Sequence, residues 1–159
     1  LTPNIFVSAR CEVTWRPTDI KLVTDKGPSH GPLSGMAASL AAIETDCLLA
    51  LAVDMPFITV PQLRGICHRA GAEVGAVPLI NGKAEPLAAV YPKRAASIFA
   101  DALKGTDHSL QEVVRRLAAL KLVRKIPITD ATARFFRSVN YPADLQPEVD
   151  CAESLPDTS

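Results

Sequence analysis

Residues 47–56 read Cys-Leu-Leu-Ala-Leu-Ala-Val-Asp-Met-Pro, and this stretch decides the fold. It begins with an unbroken apolar run over 47–53, which is typical of a strand that is covered on both faces in a parallel sheet. The run ends abruptly at Asp54. The pattern therefore predicts a buried strand that carries an acidic side chain at its carboxyl end.

Strand-like and helix-like segments alternate on both sides of this run. Further strands are predicted at 5–7, 20–24, 74–80, 86–91, 122–128 and 136–139, and helices after residues 31, 59, 92, 109 and 141. Such alternation favours an α/β fold with an open, mainly parallel sheet and helices on both faces. One domain over 1–146 accounts for the chain, and the polar segment 147–159 is predicted to be a loose tail.

Turn and capping residues indicate where the elements begin and end. Pro32 suits the first position of a helix, because its missing N–H would have no partner inside the helix. Asn81-Gly82 favours a hairpin, since both residues tolerate the positive φ of a tight turn. Capping boxes are predicted at 59–62 and 109–112, where a threonine or serine is followed three residues later by glutamine or glutamate.

The composition narrows the class of partner. Seventeen basic and seventeen acidic residues give a formal charge of zero, and neither sign clusters as it does in proteins that bind nucleic acid or membrane surfaces. The apolar runs are too short to span a membrane. The four cysteines lack the spacing of a metal site. The sequence predicts reduced thiols, a cytoplasmic location and a small-molecule partner.

Polar residues follow four of the predicted strands, namely Ser8, Asp25, Asp54 and Asn140. Ligands of open α/β sheets bind at the carboxyl ends of the strands. Asp54 suits Mg²⁺, which prefers oxygen ligands and is commonly held by one or two carboxylates together with substrate phosphates. The alternative is that Asp54 caps a helix or a loop.

The remaining candidates each have a functional and a structural interpretation. The helix that begins near Gly31 offers free N–H groups to an anion, but glycine and proline open many helices that bind nothing. Asp25 either contacts a ribose or base or caps the turn that follows it. Asn140 either contacts a substrate or caps a short helix at Pro142. The three histidines lack triad-like neighbours and are interpreted as surface or capping residues.

Taken in order, these motifs resemble the molybdenum-cofactor guanylyltransferases from Ile5 to Leu145, and the order is what makes the resemblance specific. The motifs are Gly31-Pro32-Leu33-Ser34-Gly35-Met36, Leu51-Ala52-Val53-Asp54-Met55-Pro56-Phe57, Glu85-Pro86-Leu87-Ala88-Ala89-Val90-Tyr91, Ser109-Leu110, and Ser138-Val139-Asn140 with Pro142 and Asp144-Leu145. The resemblance implies a Rossmann-like nucleotidyltransferase domain.

The resemblance also implies a reaction, in which GMP is transferred from Mg-GTP to the terminal phosphate of molybdopterin and pyrophosphate is released. Such chemistry needs no protein nucleophile, because the protein mainly aligns two anions and offsets their charge. Transient contacts with molybdopterin-delivering proteins and molybdoenzymes are implied as well. The implied sites are nucleotide-binding Ser8, Asp25, Gly31, Gly35 and Asp54, substrate-binding Glu85, Pro86 and Asn140, and the magnesium ligand Asp54.

The sequence departs from the family pattern in two places. Family members begin with a strand and a loop of the form L-A-G-G-x-S-x-R-M-G-x-D-K, which cradles the triphosphate and does not occur here. We therefore expect the natural protein to be longer. We expect this chain alone to bind GTP poorly and to be inactive. The strand that would neighbour the missing one should be left unpaired. Tyr141 replaces a threonine that caps a helix in relatives.

Two other interpretations stay open. One is a cytidylyl or sugar-phosphate nucleotidyltransferase of the same fold, although Asp-Met-Pro together with Glu-Pro-Leu favours the guanylyl branch. The other is a non-catalytic, degenerate homologue that binds without turnover.

Overall fold

The structure, a computed structural model, describes residues 2–25 and 27–141. The helix predicted at Pro142, Cys151 and the tail 147–159 lie outside the described residues. The strands are β1 Phe6–Ala9, β2 Lys21–Thr24, β3 Cys47–Leu51, β4 Gly75–Ile80, β5 Lys83–Ala84, β6 Ala88–Pro92 and β7 Val123–Pro127, and the α-helices are α1 Pro32–Ala42, α2 Val60–Cys67, α3 Ala96–Lys104, α4 Leu110–Ala119 and α5 Asp130–Ala133. Two single-turn 3₁₀ helices, Lys93–Ala95 and Arg134–Phe136, complete the secondary structure of the described residues.

The described strands form two sheets. Strands β1 and β2 pair with each other in parallel. In the second sheet β6 lies between β3 and β4 and runs antiparallel to both, while β7 pairs with the other edge of β4 in parallel. The α/β fold is as predicted. The second sheet is mixed in direction, because the hairpin after β4 reverses the chain before β5 and β6.

This hairpin confirms the turn predicted from Asn81-Gly82. Both residues have positive φ, 51° and 78°, which is the backbone conformation that asparagine and glycine tolerate best. The turn places Lys83 opposite Ile80 of β4, and Glu85 N–H donates to Pro78 O of the same strand. The turn thereby returns the chain to the end of the sheet where β3 finishes and β6 begins.

Helices cover both faces of the second sheet, as predicted. Neighbouring residues of a strand point to opposite faces, so Val77 and Tyr91 enter one core while Ala76 and Val90 enter the other. The first core is completed by residues of α1, α3 and α4, and the second by Ile66 of α2 together with Met55 and Phe136. A sheet buried on both sides accounts for the continuous apolar run in β3.

Several boundaries differ from the sequence-based prediction. The strand predicted at 136–139 is wrong: Phe136 ends a 3₁₀ turn and is buried in the second core, and Val139 donates to the carbonyl of Asp54 at 2.7 Å instead of joining a ladder. Strand β3 ends at Leu51, three residues before Asp54. Strand β1 extends to Ala9, so Ser8 lies inside the strand and not past its end.

The capping boxes form only in part. Ser109 caps α4 and its hydroxyl accepts from Gln111 N–H at 3.2 Å, but Glu112 turns to Arg115 instead of the Ser109 N–H. That N–H donates to Asp107. Thr59 begins α2 without a side-chain cap, because Pro61 has no N–H to offer and the threonine hydroxyl contacts the Gln62 side chain.

Cys11, Cys47 and Cys67 are free thiols. Of the helices in residues 2–25 and 27–141, none has the length and apolar character that crossing a membrane requires.

Candidate functional site

Asp54 lies in the turn that follows β3. Its main chain is fixed on two sides, since Ala52 N–H donates to Leu87 O at 2.8 Å and the Asp54 carbonyl accepts from Val139 N–H. The carboxylate is partly buried, and its Oδ1 atom is buried without a hydrogen-bond partner among the described residues. A buried, unsatisfied carboxylate oxygen is costly unless a donor or cation approaches it.

The segment 85–87 faces this turn and is held by several main-chain hydrogen bonds. Glu85 N–H donates to Pro78 O at 2.9 Å, and the Tyr91 hydroxyl, which is fully buried, donates to Pro86 O at 2.8 Å. One Glu85 carboxylate oxygen accepts from Leu87 N–H at 3.3 Å. Because Leu87 also bonds to Ala52, the segment and the Asp54 turn are tied together.

The pKa of Glu85 is affected by the nearby Asp54 carboxylate. Burial raises the pKa of Glu85 above its ordinary value, the Leu87 N–H opposes that rise, and the neighbouring Asp54 carboxylate adds to it. Lys83 acts in the opposite direction and lowers the pKa of Glu85. The structure thus brings together two acidic residues, one from the turn after β3 and one from the connection between β5 and β6.

Asn140 and Pro86 reach the same region in different ways. Asn140 is exposed and directly follows Val139, whose N–H is bound to the Asp54 carbonyl. Pro86 is buried, so the proline ring is turned away from solvent. The Pro86 carbonyl accepts from the Tyr91 hydroxyl, and this bond positions the segment. Asp54, Glu85 and Asn140 therefore form one group at the carboxyl end of β3.

The residues expected on the nucleotide side form a second group around the start of α1. Gly31 precedes α1 with φ 61°, a left-handed conformation that glycine adopts without strain. Ser8 of β1 donates to Gly35 O at 3.4 Å, and a Cβ added at Gly35 would lie 3.0 Å from the Ser8 hydroxyl. Helix α1 also contacts β3, so it is the element that connects the two groups.

Asp25 follows β2, as predicted, and lines a cavity of about 590 Å³ with His30, Ser34 and the alanines of α1. His30 stacks on His108 with ring centroids 3.7 Å apart. The interpretation of these two histidines as separate surface or capping residues missed this contact. No local pattern could have shown it, because the two rings come from loops far apart in the sequence.

No group of three or more His, Cys, Asp or Glu side chains within residues 2–25 and 27–141 could hold a metal ion. A cation at Asp54 would therefore need oxygen ligands from a substrate or from water. That is the coordination typical of magnesium, which keeps several waters and binds through few carboxylates.

The family model that matches this chain describes a MobA-like NTP transferase domain and covers residues 2–122. The chain belongs to this family. The matched part of the MobA-like domain runs from before β1 to the end of the helix α4 and includes Asp25, Asp54 and Glu85. Asn140 lies beyond it.

Curated relatives carry a more specific name. A probable molybdenum cofactor guanylyltransferase of Natronomonas pharaonis is 32% identical over 123 residues, which are 77% of this chain and 61% of the relative. One from Chloroflexus aggregans is 30% identical over 92% of this chain and 72% of the relative. The MobA-like chain thus spans less than two thirds of the length of the first relative.

Solved structures agree with the fold. Molybdopterin-guanine dinucleotide biosynthesis protein A of Archaeoglobus fulgidus superposes with a TM-score of 0.63 at 22% identity, over 79% of this chain and 65% of that one. At this identity the likeness supports the Rossmann-like nucleotidyltransferase fold of a MobA-like domain and nothing finer.

Sequence reasoning missed three residues of the candidate site. Tyr91 was seen only as part of a motif, although its hydroxyl fixes the segment that carries Glu85. Lys83 and Arg137 line a cavity beside Glu85. Lysine in a hairpin and arginine after a helical turn are ordinary surface residues in a sequence, so only the fold reveals their shared location.

Proposed function

We propose that this chain carries the Asp54 site of a molybdenum cofactor guanylyltransferase, which transfers GMP from Mg-GTP to molybdopterin and releases pyrophosphate. One observation carries the proposal: a carboxylate at the tip of β3 has a buried oxygen without a partner among the described residues, next to a second carboxylate. The names of the curated relatives support this reaction over others available to the fold.

The residues fit a magnesium ion. Asp54 Oδ1 is a hard oxygen donor whose burial is unfavourable unless a positive charge compensates it. We assign Asp54 as the protein ligand, with the substrate phosphates supplying further oxygens. When bound, the ion would offset the negative charge of the phosphates that react.

The chain's own part in the reaction is to align two anions. The nucleotide side comprises Ser8, Asp25, Gly31 and Gly35, of which the two glycines flank the first turn of α1, where free N–H groups favour an anion. The acceptor side comprises the 85–87 segment, where Leu87 O accepts from Ala52 N–H, and Asn140, whose neighbour Val139 donates to the Asp54 carbonyl. Orientation and charge compensation are the two contributions that phosphate transfer requires from a protein.

The partners follow from this reaction. GTP and molybdopterin are the small-molecule substrates, and molybdopterin-delivering proteins and molybdoenzymes are the transient protein partners, in the cytoplasm. The formal charge of zero gives no basis for a nucleic-acid partner.

The test is turnover by the complete gene product. Pyrophosphate release should require Mg²⁺, GTP and molybdopterin together. Asp54→Asn should lower the rate by at least about a hundredfold, since the charge that holds the cation is lost. The matched control is Asp46→Asn, which changes an exposed aspartate at the opposite end of the same strand.

Three outcomes would contradict the proposal. Turnover of Asp54→Asn at the wild-type rate would remove the metal role of Asp54. Tighter binding of CTP than of GTP in calorimetry would replace guanylyl by cytidylyl transfer. Absence of turnover in the wild-type gene product, with nucleotide still bound, would identify a non-catalytic homologue.

A further inference from the structure

The start of α4 and the loop before it contact both groups of the candidate site. We call residues 107–111 the α4 cap segment. Its main chain is held by its own side chains, since Asp107 accepts from Ser109 N–H at 2.8 Å and Ser109 accepts from Gln111 N–H at 3.2 Å. Such bonds satisfy N–H groups that a helix start leaves without partners. The α4 cap segment is therefore locally fixed, and two of its side chains, His108 and Gln111, reach other elements.

His108 connects the α4 cap segment to the nucleotide side. Its ring stacks on that of His30, with the centroids 3.7 Å apart and an angle of 24° between the ring planes. His30 N–H donates to the Ser34 hydroxyl at 2.9 Å, and Ser34 is buried in the first turn of α1. His30 also lines the cavity that contains Asp25. The stack thus holds the loop that leads into α1.

The position of the His108 ring is explained by stacking and not by a hydrogen bond at its Nε2 atom. That atom is buried and has no hydrogen-bond partner among residues 2–25 and 27–141. A buried nitrogen without a partner costs free energy, and the face-to-face contact with His30 is the interaction that offsets this cost. An apolar aromatic ring should therefore serve equally well at position 108.

Gln111 connects the α4 cap segment to the acceptor side. Its side-chain amide donates to Ala84 O at 2.8 Å, in a partly buried hydrogen bond. Ala84 is the buried last residue of β5. The next residue is Glu85, whose N–H donates to Pro78 O at 2.9 Å. Gln111 therefore fixes the main chain at the point where the segment that carries Glu85 begins.

We propose that the α4 cap segment couples the two sides of the candidate site. A displacement of the His30 loop is transmitted to Glu85, and the reverse also holds, because a coupling free energy is reciprocal. His108 and Gln111 are positioning residues that act through the residues they contact. The contacts that carry the coupling run in order through Ser34, His30, His108, Ser109, Gln111, Ala84 and Glu85.

The first test follows the amide of Glu85 in this chain by two-dimensional NMR and hydrogen exchange. His108→Ala removes the stack on the nucleotide side, so the Glu85 N–H should shift and should exchange at least about threefold faster. His108→Phe keeps a ring for His30 to stack on and loses only an unsatisfied nitrogen, so Glu85 should behave as in the wild type. His68→Ala is the matched control, because His68 is exposed at the end of α2.

The second test starts from the acceptor side. Gln111→Met keeps a side chain of similar length and high helix propensity but removes the donor to Ala84 O. The amides of both Glu85 and His30 should then shift. Gln62→Met makes the same change in the first turn of α2 and should leave the His30 amide unchanged.

Four results would overturn the coupling. His108→Ala could alter His30 and leave Glu85 as in the wild type, or Gln111→Met could alter only residues 84–87. Equal effects of His108→Ala and His108→Phe on Glu85 would exclude the stack as the cause. An effect of His68→Ala on Glu85 as large as that of His108→Ala would show a general loss of stability instead.

The consequence for turnover rests on the proposed function. In the complete gene product, calorimetry should give GTP affinities that differ at least about fivefold with and without molybdopterin. His108→Ala should remove most of this difference, and His108→Phe should keep it. Equal GTP affinities in the wild type would overturn the coupling, and guanylyl transfer would stand. If the NMR tests show transmission but the complete protein turns over no GTP, the coupling stands and the proposed function fails.

Discussion

The two sheets of this domain differ in how deeply their strands are buried and in how completely the strands are paired. Every residue of β6 is buried, and β4 is paired on both edges. In β1 and β2, by contrast, only Val23 is buried, and it belongs to neither hydrophobic core. A two-stranded unit is marginal by itself, so β1 and β2 depend on their packing against α1.

The difference divides the candidate site. Glu85 and Lys83, on the acceptor side, follow the hairpin of the well-paired sheet, whereas Ser8 and Asp25, on the nucleotide side, belong to the β1–β2 unit. The acceptor side thus lies on the well-paired sheet, and the nucleotide side lies on the smaller sheet.

The largest expected effect is that of a methyl group at Gly75, which should break the well-paired sheet. A Cβ there would lie 2.1 Å from Val90 O and 3.1 Å from Tyr91 Cα, so the backbones of β4 and β6 would have to separate. We expect Gly75→Ala to lower the free energy of unfolding by about 3 kcal/mol or more in urea titration. Gly71→Ala, where a Cβ meets nothing within 4 Å, is the control.

A pair of matched valine truncations would sharpen the comparison. Val77 is fully buried in the first core, and Val77→Ala should cost about 2 to 3 kcal/mol of unfolding free energy. Val23→Ala should cost about 1 kcal/mol or less, because Val23 has few apolar neighbours to lose. Equal losses in urea titration would show that β1 and β2 are as well packed as the larger sheet.

An intermediate effect is expected at Tyr91. Tyr91→Phe keeps the edge-on contact with Phe99 but removes the donor to Pro86 O. We expect a loss of about 1 to 3 kcal/mol, because a buried carbonyl is left unsatisfied. Amide shifts in NMR should be largest at residues 85–87. Shifts spread evenly over α3 would instead assign Tyr91 a role in packing alone.

Much of the larger sheet could be predicted from the sequence, because its signals are local. The apolar run before Asp54, the Asn81-Gly82 turn and Pro32 at the start of α1 each specify a backbone conformation within a few residues. The resemblance implied site roles for Asp54 and Glu85, which stay predictions, and in the structure Asp54 is close enough to Glu85 to raise its pKa.

The errors came where a long-range contact decides the outcome. The segment 136–139 was predicted as a strand, but Phe136 fills the core beside α2 and Val139 bonds to the Asp54 turn. Arg137 stacks on Phe57, and His30 stacks on His108, across separations that no periodicity records. Such pairs arise only when the whole sheet is assembled.

The smallest expected effect is a difference in thiol reactivity between the two regions. Burial raises the pKa of Cys47, at the start of β3, and the nearby Asp46 adds to the rise. Burial likewise raises the pKa of Cys67 in α2. Only the thiolate reacts with iodoacetamide, so a raised pKa leaves less of the reactive form at neutral pH. Cys11, which is exposed just after β1, provides the comparison.

Alkylation followed by peptide mapping should therefore be slower at Cys47 and Cys67 than at Cys11 at pH 7.5. The Cys47 rate should still be rising with pH where the rate of an ordinary exposed thiol has levelled off, because burial raises the pKa of Cys47. A plateau at Cys47 at the pH of an ordinary exposed thiol would mean that the start of β3 opens to solvent. In that case β3, the strand that leads to the Asp54 turn, would open to solvent. The larger sheet would then be the less stable of the two at this strand.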